Sequence, residues 1–323
     1  MINPLLNHAS LPQFSQITPD LVAPTINELL TQNRATIANI AKQSQPTWHS
    51  LPAQLEELDD SLSKAWSLVS HLNAVTNSPA WREAYNGCLA QISAYYTELG
   101  QNTDLYQSYQ TLADSSEFAQ LNTAQQQAVT NALRDFKLSG VALPLEQKQR
   151  FAAIEERLSA ICSKFADNLL DATQAWHKPL SEAELQGIPQ ASQNLLAQLA
   201  TQRGLTGHIV TLDAPAYLAV ITYANNRELR ETLYTAYTTR ASELSQDGEF
   251  DNSPLMTEIL ALRYEQAQLL GYSHYAQLSL VPKMASSVAV VMQFLNELAQ
   301  RAKPAAQQDL DELRAFAATL GID

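Results

Sequence analysis

Glycine is scarce in this chain, nine residues in 323, well under half of the usual share of about 7%. The glycine-dependent signatures are missing with it: there is no G-x-x-x-x-G-K-[ST] phosphate loop, no G-x-G-x-x-G dinucleotide fingerprint and no G-x-S-x-G nucleophile elbow. Cysteine is scarcer still. Cys88 and Cys162 stand 74 positions apart and outside any C-x-x-C pattern, which suits a reducing compartment and two buried free thiols better than a disulfide framework. Basic residues number 20 against 33 acidic ones, for a net charge of −13. No cluster of them could neutralise a phosphate backbone, so nucleic acid is not an expected partner. Nor is a membrane, because the most apolar run near the middle, "LAVITYA" from Leu218, is far shorter than the roughly 20 residues that span a bilayer. The first basic side chain is Arg34, so the start resembles neither a secretory signal nor a transit peptide, and the expected location is the cytoplasm.

What is plentiful is helix-forming: Ala, Leu and Gln are abundant and Glu adds to them, and a hydrophobic share of 46% is enough to bury a real core. The clearest periodicity lies in "LPLEQKQRFAAIEERLSAICSKFADNLLDAT", where Phe151, Ile154, Leu158, Ile161, Phe165 and Leu169 recur at steps of three and four. That spacing predicts one long helix with a narrow apolar seam. Before it, "LNTAQQQAVTNALRDFKLSG" predicts a partner helix capped by Thr123, buried through Val129, Leu133 and Phe136, and closed by Gly140. The two read as an antiparallel hairpin. Further helices are predicted from about Pro19, with Pro24 kinking or delaying the start, and over Leu51 to Asn77, Pro79 to Gly100, "NRELRETLYTAYTTRASELS" and "DNSPLMTEILALRYEQ". A last helix is periodic through Val288, Met292, Leu295, Leu298, Leu310, Leu313, Phe316 and Leu320, bent at Pro304. Extended backbone has one candidate, "HIVTLDAPAYLAVITYANN" from His208, whose β-branched residues cluster before Asp213 and Pro215 break the run. The expectation is a mainly α, elongated multi-helix body with long antiparallel hairpins and at most one short β pair. With no repeat at 20 to 50 residues and no Gly-, Ser- or Pro-rich linker, residues 1–323 read as a single region.

Chemistry is harder to find. A helix-borne zinc hydrolase needs two histidines at i and i+4 with a glutamate beside the first. The six histidines, His8, His49, His71, His177, His208 and His274, are never closer than 22 positions, and none is followed by glutamate. No catalytic or metal-binding residue is assigned, and the substrate-binding residues stay unknown. The acidic pairs Glu56 with Glu57, Asp59 with Asp60 and Glu155 with Glu156 read as solvated faces, since neighbouring carboxylates on a helix diverge. Two aromatic groups stay open between cleft lining and helix contact: Tyr264, Tyr272, His274 and Tyr275 at the corner after Gly271, and Tyr234, Tyr237 and Arg240 at steps of three.

The string "DNSPLMTEILALRYEQAQLLGYSHYAQLSLVPKMA" resembles the N-terminal half of the thimet-oligopeptidase family of zinc metallopeptidases. The likeness runs in order through "NPLLNHASLPQFSQITPDLVAPTINELL", "VSHLNAVTNSPAWREAY", "LNTAQQQAVTNALRDFKLSGVALP", "TLDAPAYLAVITYANNRELRETLYTAYTTRAS" and "RAFAATLGID". It implies a two-lobed, mainly helical enzyme that cuts short peptides in a deep channel, with this chain forming much of one lobe. In that family an H-E-x-x-H helix and a further glutamate hold the zinc, and no position here matches them. The resemblance therefore implies an N-terminal piece whose partners are short peptides and the missing C-terminal half. Zinc belongs to the full-length protein and is not expected on this chain. The alternative is a non-catalytic helical scaffold or peptide-binding module.

Overall fold

The computed structural model describes residues 3–7, 11–245 and 248–322; His8 lies outside them. The described residues form twelve α-helices and one two-stranded sheet. The mainly α class expected from composition is the one observed. A 3-10 turn at Pro19–Leu21 leads into α1 (Val22–Ile40), so Pro24 sits in the first turn, where its missing N–H costs no hydrogen bond. The segments α2 (Pro52–Thr76) and α3 (Pro79–Gly100) match their expected limits. Between α3 and α5 (Thr123–Leu138) the chain inserts α4 (Thr103–Ala113). The cap of α5 is Asn122 and not Thr123. Its side chain accepts from the Gln125 N–H at 2.9 Å while the Gln125 side chain accepts from the Asn122 N–H at 3.1 Å, a reciprocal capping box. Gly140 ends that helix at φ +80° as expected. The ring contacts of Phe136 go to Tyr106 and Tyr109 of α4.

The long seam becomes α6 (Leu145–Ala175). Phe151, Ile154 and Ile161 are buried, but Leu169 is exposed and Asn168 takes the buried place beside it. Strand β1 (His177–Leu180) pairs antiparallel with β2 (His208–Thr211), His177 opposite Thr211 and Leu180 opposite His208. Helix α7 (Gln190–Gln202) lies between them in sequence, and α8 (Ala214–Tyr223), α9 (Arg227–Thr239), α10 (Ser253–Leu269), α11 (Tyr275–Leu280) and α12 (Val288–Thr319) follow. Helix α12 continues through Pro304. The expected pair of buried thiols is corrected: Cys88 is buried, whereas Cys162 is exposed on the outer face of α6.

Two compact units share the chain. One gathers Met1–Thr36, Glu57–Thr97 and Ala152–Leu262. A core cluster in it joins Leu196, Val210, Leu212, Val220, Leu229 and Leu233, which are at most 2% exposed. Gly187 touches this core at φ +89°, where an added Cβ would lie 2.4 Å from the Tyr223 carbonyl oxygen. The same unit contains the fork of Arg82 on Asp171, at 2.7 and 2.5 Å. The other unit comprises Ile37–Glu56, Glu98–Phe151 and Arg263–Asp323. It is held by the α4–α5 aromatic contacts, by Gln101 on the Lys148 carbonyl at 3.3 Å and by the fork of Arg150 on Glu265, both bonds 2.6 Å.

Candidate functional site

Helix α9 explains a recess in the first unit. Asn226 caps it by accepting from the Leu229 N–H at 3.0 Å. From there the 3.6-residue period divides the helix into two faces. Leu229 and Leu233 enter the core, which turns Glu228, Glu231, Thr232, Thr235 and Thr239 outward together. These five form one wall of a cleft of about 810 Å³. The end of α6, through Ala172 and Ala175, and the strand entry Trp176, His177 and Lys178 form another, and Leu244 and Phe250 border it after α9.

Arg240 closes the end of α9. Its guanidinium carbon lies 3.8 Å from the centre of the Tyr237 ring, a cation–π distance, and Tyr237 is stacked on Tyr217 at 4.1 Å. One terminal nitrogen donates to the Tyr237 carbonyl oxygen, while the buried Nε has no hydrogen-bond partner among the described residues. Ala241, next in the chain, is buried in the left-handed region at φ +53°, a conformation that side chains other than glycine adopt only when held there. What holds it is Asn252. The Asn252 N–H donates to the Ala241 carbonyl at 3.1 Å, and its side chain donates to the Phe165 carbonyl at 3.0 Å and accepts from Asn168 at 2.9 Å. On the strand side, Lys178 donates to Glu184 at 2.6 Å. That bond, with the Ser181 N–H and hydroxyl, pulls the Glu184 carboxyl down to about 2 from an ordinary 4.5.

The cleft offers threonine hydroxyls, exposed carboxylates and a ring-held cation. That donor and acceptor set can bind a polar chain. Among the described residues no group of three His, Cys, Asp or Glu side chains is placed to hold a metal ion. His177 and His208 occupy opposite ends of the β ladder, His71 rests on the Phe14 ring at 5.4 Å, and His49 is exposed.

Of the two aromatic groups read from sequence, the structure joins only part of each. Tyr237 and Arg240 meet, but Tyr234 is 57% exposed. At the other corner, the His274 Nδ1 accepts from the Gln277 N–H at 3.2 Å to cap α11, Tyr275 faces Arg263 at 5.0 Å and Gln268 donates to the Tyr272 and Ser273 carbonyls. Those contacts build a helix junction around Gly271 at φ +82°. The acidic pairs are mostly solvated; Glu155 departs, since burial pushes its carboxyl above the usual range. Sequence reasoning passed over the α9 row, although its 228, 231, 232, 235, 239 spacing is a helical face written in Glu and Thr.

Comparison with known proteins gives these elements a lineage. The family model "Neurolysin/Thimet oligopeptidase, N-terminal domain" matches residues 26–149, and "Peptidase family M3" matches residues 220–323. The oligopeptidase A of Haemophilus influenzae is 47% identical over 318 residues, 98% of this chain and 47% of that protein. The oligopeptidase A of Escherichia coli is 47% identical over 327 residues, 100% of this chain and 48% of that protein. The organellar oligopeptidase A of Arabidopsis thaliana is 35% identical over 99% of this chain and 41% of its own length. The chain thus spans about half the length of the curated relatives that it matches. Both domain models in order, and near-half identity from end to end, mean that this chain belongs to peptidase family M3.

Proposed function

We propose that this chain is the N-terminal lobe of a zinc-dependent oligopeptidase, which walls the channel that admits short, unfolded peptides and leaves hydrolysis to a second half. The carrying observation is the 47% identity to oligopeptidase A across the whole chain, against less than half of the relative's length. Zinc in such an enzyme polarises the scissile carbonyl and activates water. The donor set here does not fit that ion: the chain has no H-E-x-x-H, and its described histidines, carboxylates and thiols form no three-ligand group. No catalytic step is therefore assigned to its residues. The reading places the protein in the cytoplasm, supported by two unpaired cysteines, and gives it short peptides as substrate partners.

The test is to join this chain to the remaining half of the Escherichia coli relative and follow cleavage of a short fluorogenic peptide. The joined protein should hydrolyse it and lose that activity to a zinc chelator, while the 323-residue chain alone should not cleave it. Chelator-sensitive cleavage by the clean short chain would overturn the reading.

The α9 cleft favours a second reading, a non-catalytic peptide-binding module. Calorimetry with short peptides on the chain alone separates the two. Tight binding that Thr235→Val and Glu231→Gln weaken would support the module; absence of binding would leave the lobe reading alone.

A further inference from the structure

Helix α12 is 32 residues long and has no buried residue. At 1.5 Å per residue it runs for about 48 Å. Water is a poor neighbour for what it presents. Met292, Leu295, Leu298, Leu310, Leu313 and Leu320 are 41% to 63% exposed, and they lie on one side of the helix. Ala299, Ala302 and Ala306 continue the row through the middle and Ala317 near its end, so that from Leu295 to Leu320 the apolar positions recur at steps of four and three. That is the seam that a second helix fills lengthwise, and its alanine centre permits close approach. Much of the opposite side is finished for solvent, where Gln293 donates to Glu297 at 2.8 Å, Gln307 to Asp311 at 2.9 Å and Gln308 to Glu312 at 2.9 Å; Val290 and Phe294, 49% and 64% exposed, are the apolar side chains there.

We propose that this row is the seat of a helix from the catalytic half, so that α12 joins the two halves of the enzyme. The proposal rests on the N-terminal-lobe reading. Two observations select this occupant. The peptidase model covers all of α12, and the relatives carry about as much chain again beyond the matched length. A second copy of this chain is a poorer fit, because two bodies of net charge −13 repel one another.

The experiment uses the joined protein described above and the 323-residue chain in parallel, each with Leu295→Glu and Leu313→Glu together. A milder pair, Leu295→Ala and Leu313→Ala, guards against gross misfolding, and Asn296→Glu on the polar side is the control. In the joined protein the glutamate pair should lower the thermal midpoint by about 5 °C or more, because two charges enter a closed contact. The alanine pair should lower it less, the control should not, and peptide cleavage should fall in the same order. In the chain alone the same variants should leave the midpoint and helicity unchanged. An unsubstituted joined protein that cleaves nothing would defeat the lobe reading itself. An active joined protein indifferent to the glutamate pair would overturn the docking row and spare that reading. A short chain that sediments as a dimer, and as a monomer with the glutamate pair, would make the row a self-interface and overturn the proposal. So would an equal loss of midpoint in the short chain.

Discussion

Single side chains in the first unit show how much each charge can be asked to do. Arg82 donates through both terminal nitrogens to Asp171 and through Nε to Asn77 at 2.6 Å, with Asp167 a further 4.0 Å away. About a quarter of either partner's side chain is exposed, so solvent screens the pair only in part, and Arg82 holds the Asp171 carboxyl below its usual range. Arg82→Ala should cost about 1–3 kcal/mol, read as a lower urea midpoint with an unchanged slope. A shift within error would mean that the fork contributes nothing. Glu184 makes a pH prediction. Its carboxyl titrates at about 2 in the fold and near 4.5 unpaired, so its stabilisation is complete above pH 4.5 and disappears as pH falls towards 2. The gap in thermal midpoint between the native protein and Glu184→Gln should close across that window. A gap of constant size would reject the assignment.

At the scale of elements, the Asn122 capping box is the clearest case of local chemistry fixing a boundary. Asn122→Ala removes the acceptor from the first turn of α5 and should cost about 1 kcal/mol, whereas Thr123→Ala, one residue later, should cost less. Chemical denaturation of the two variants compares them directly. Long helices were legible because their apolar period is, as in α6, and α2, α3 and α12 were placed within a residue or two on the same grounds. Reading failed where tertiary contacts override pattern. Asn168 is buried in place of Leu169 because Asn252 gives its amide a partner. Strand β1 contains Pro179, which in sequence argues against a strand; a two-stranded sheet tolerates it because each strand has a free edge. Helices α4 and α7 are short, and their patterns were too brief to stand out. The cleft was legible only in fragments, since the α9 face can be read from one segment while Trp176, just before β1, and Lys178, within it, reach it from some 50 positions earlier.

For the whole molecule, the contrast that matters is between a core closed in each unit and a terminal helix left apolar and open. On the proposed lobe reading, the joined halves should show chelator-sensitive cleavage and this chain none. The two cysteines provide a practical way to follow it. Burial pushes the Cys88 thiol up and shields it, while Cys162 stands in solvent on α6. The native protein should therefore take up one equivalent of maleimide at pH 7, and two in denaturant. One equivalent in both conditions, or two in the native state, would contradict the burial of Cys88. If the count holds, the wild-type sequence carries its own single attachment point for a fluorophore or spin label, and arrival of the second half can be watched without engineering a cysteine.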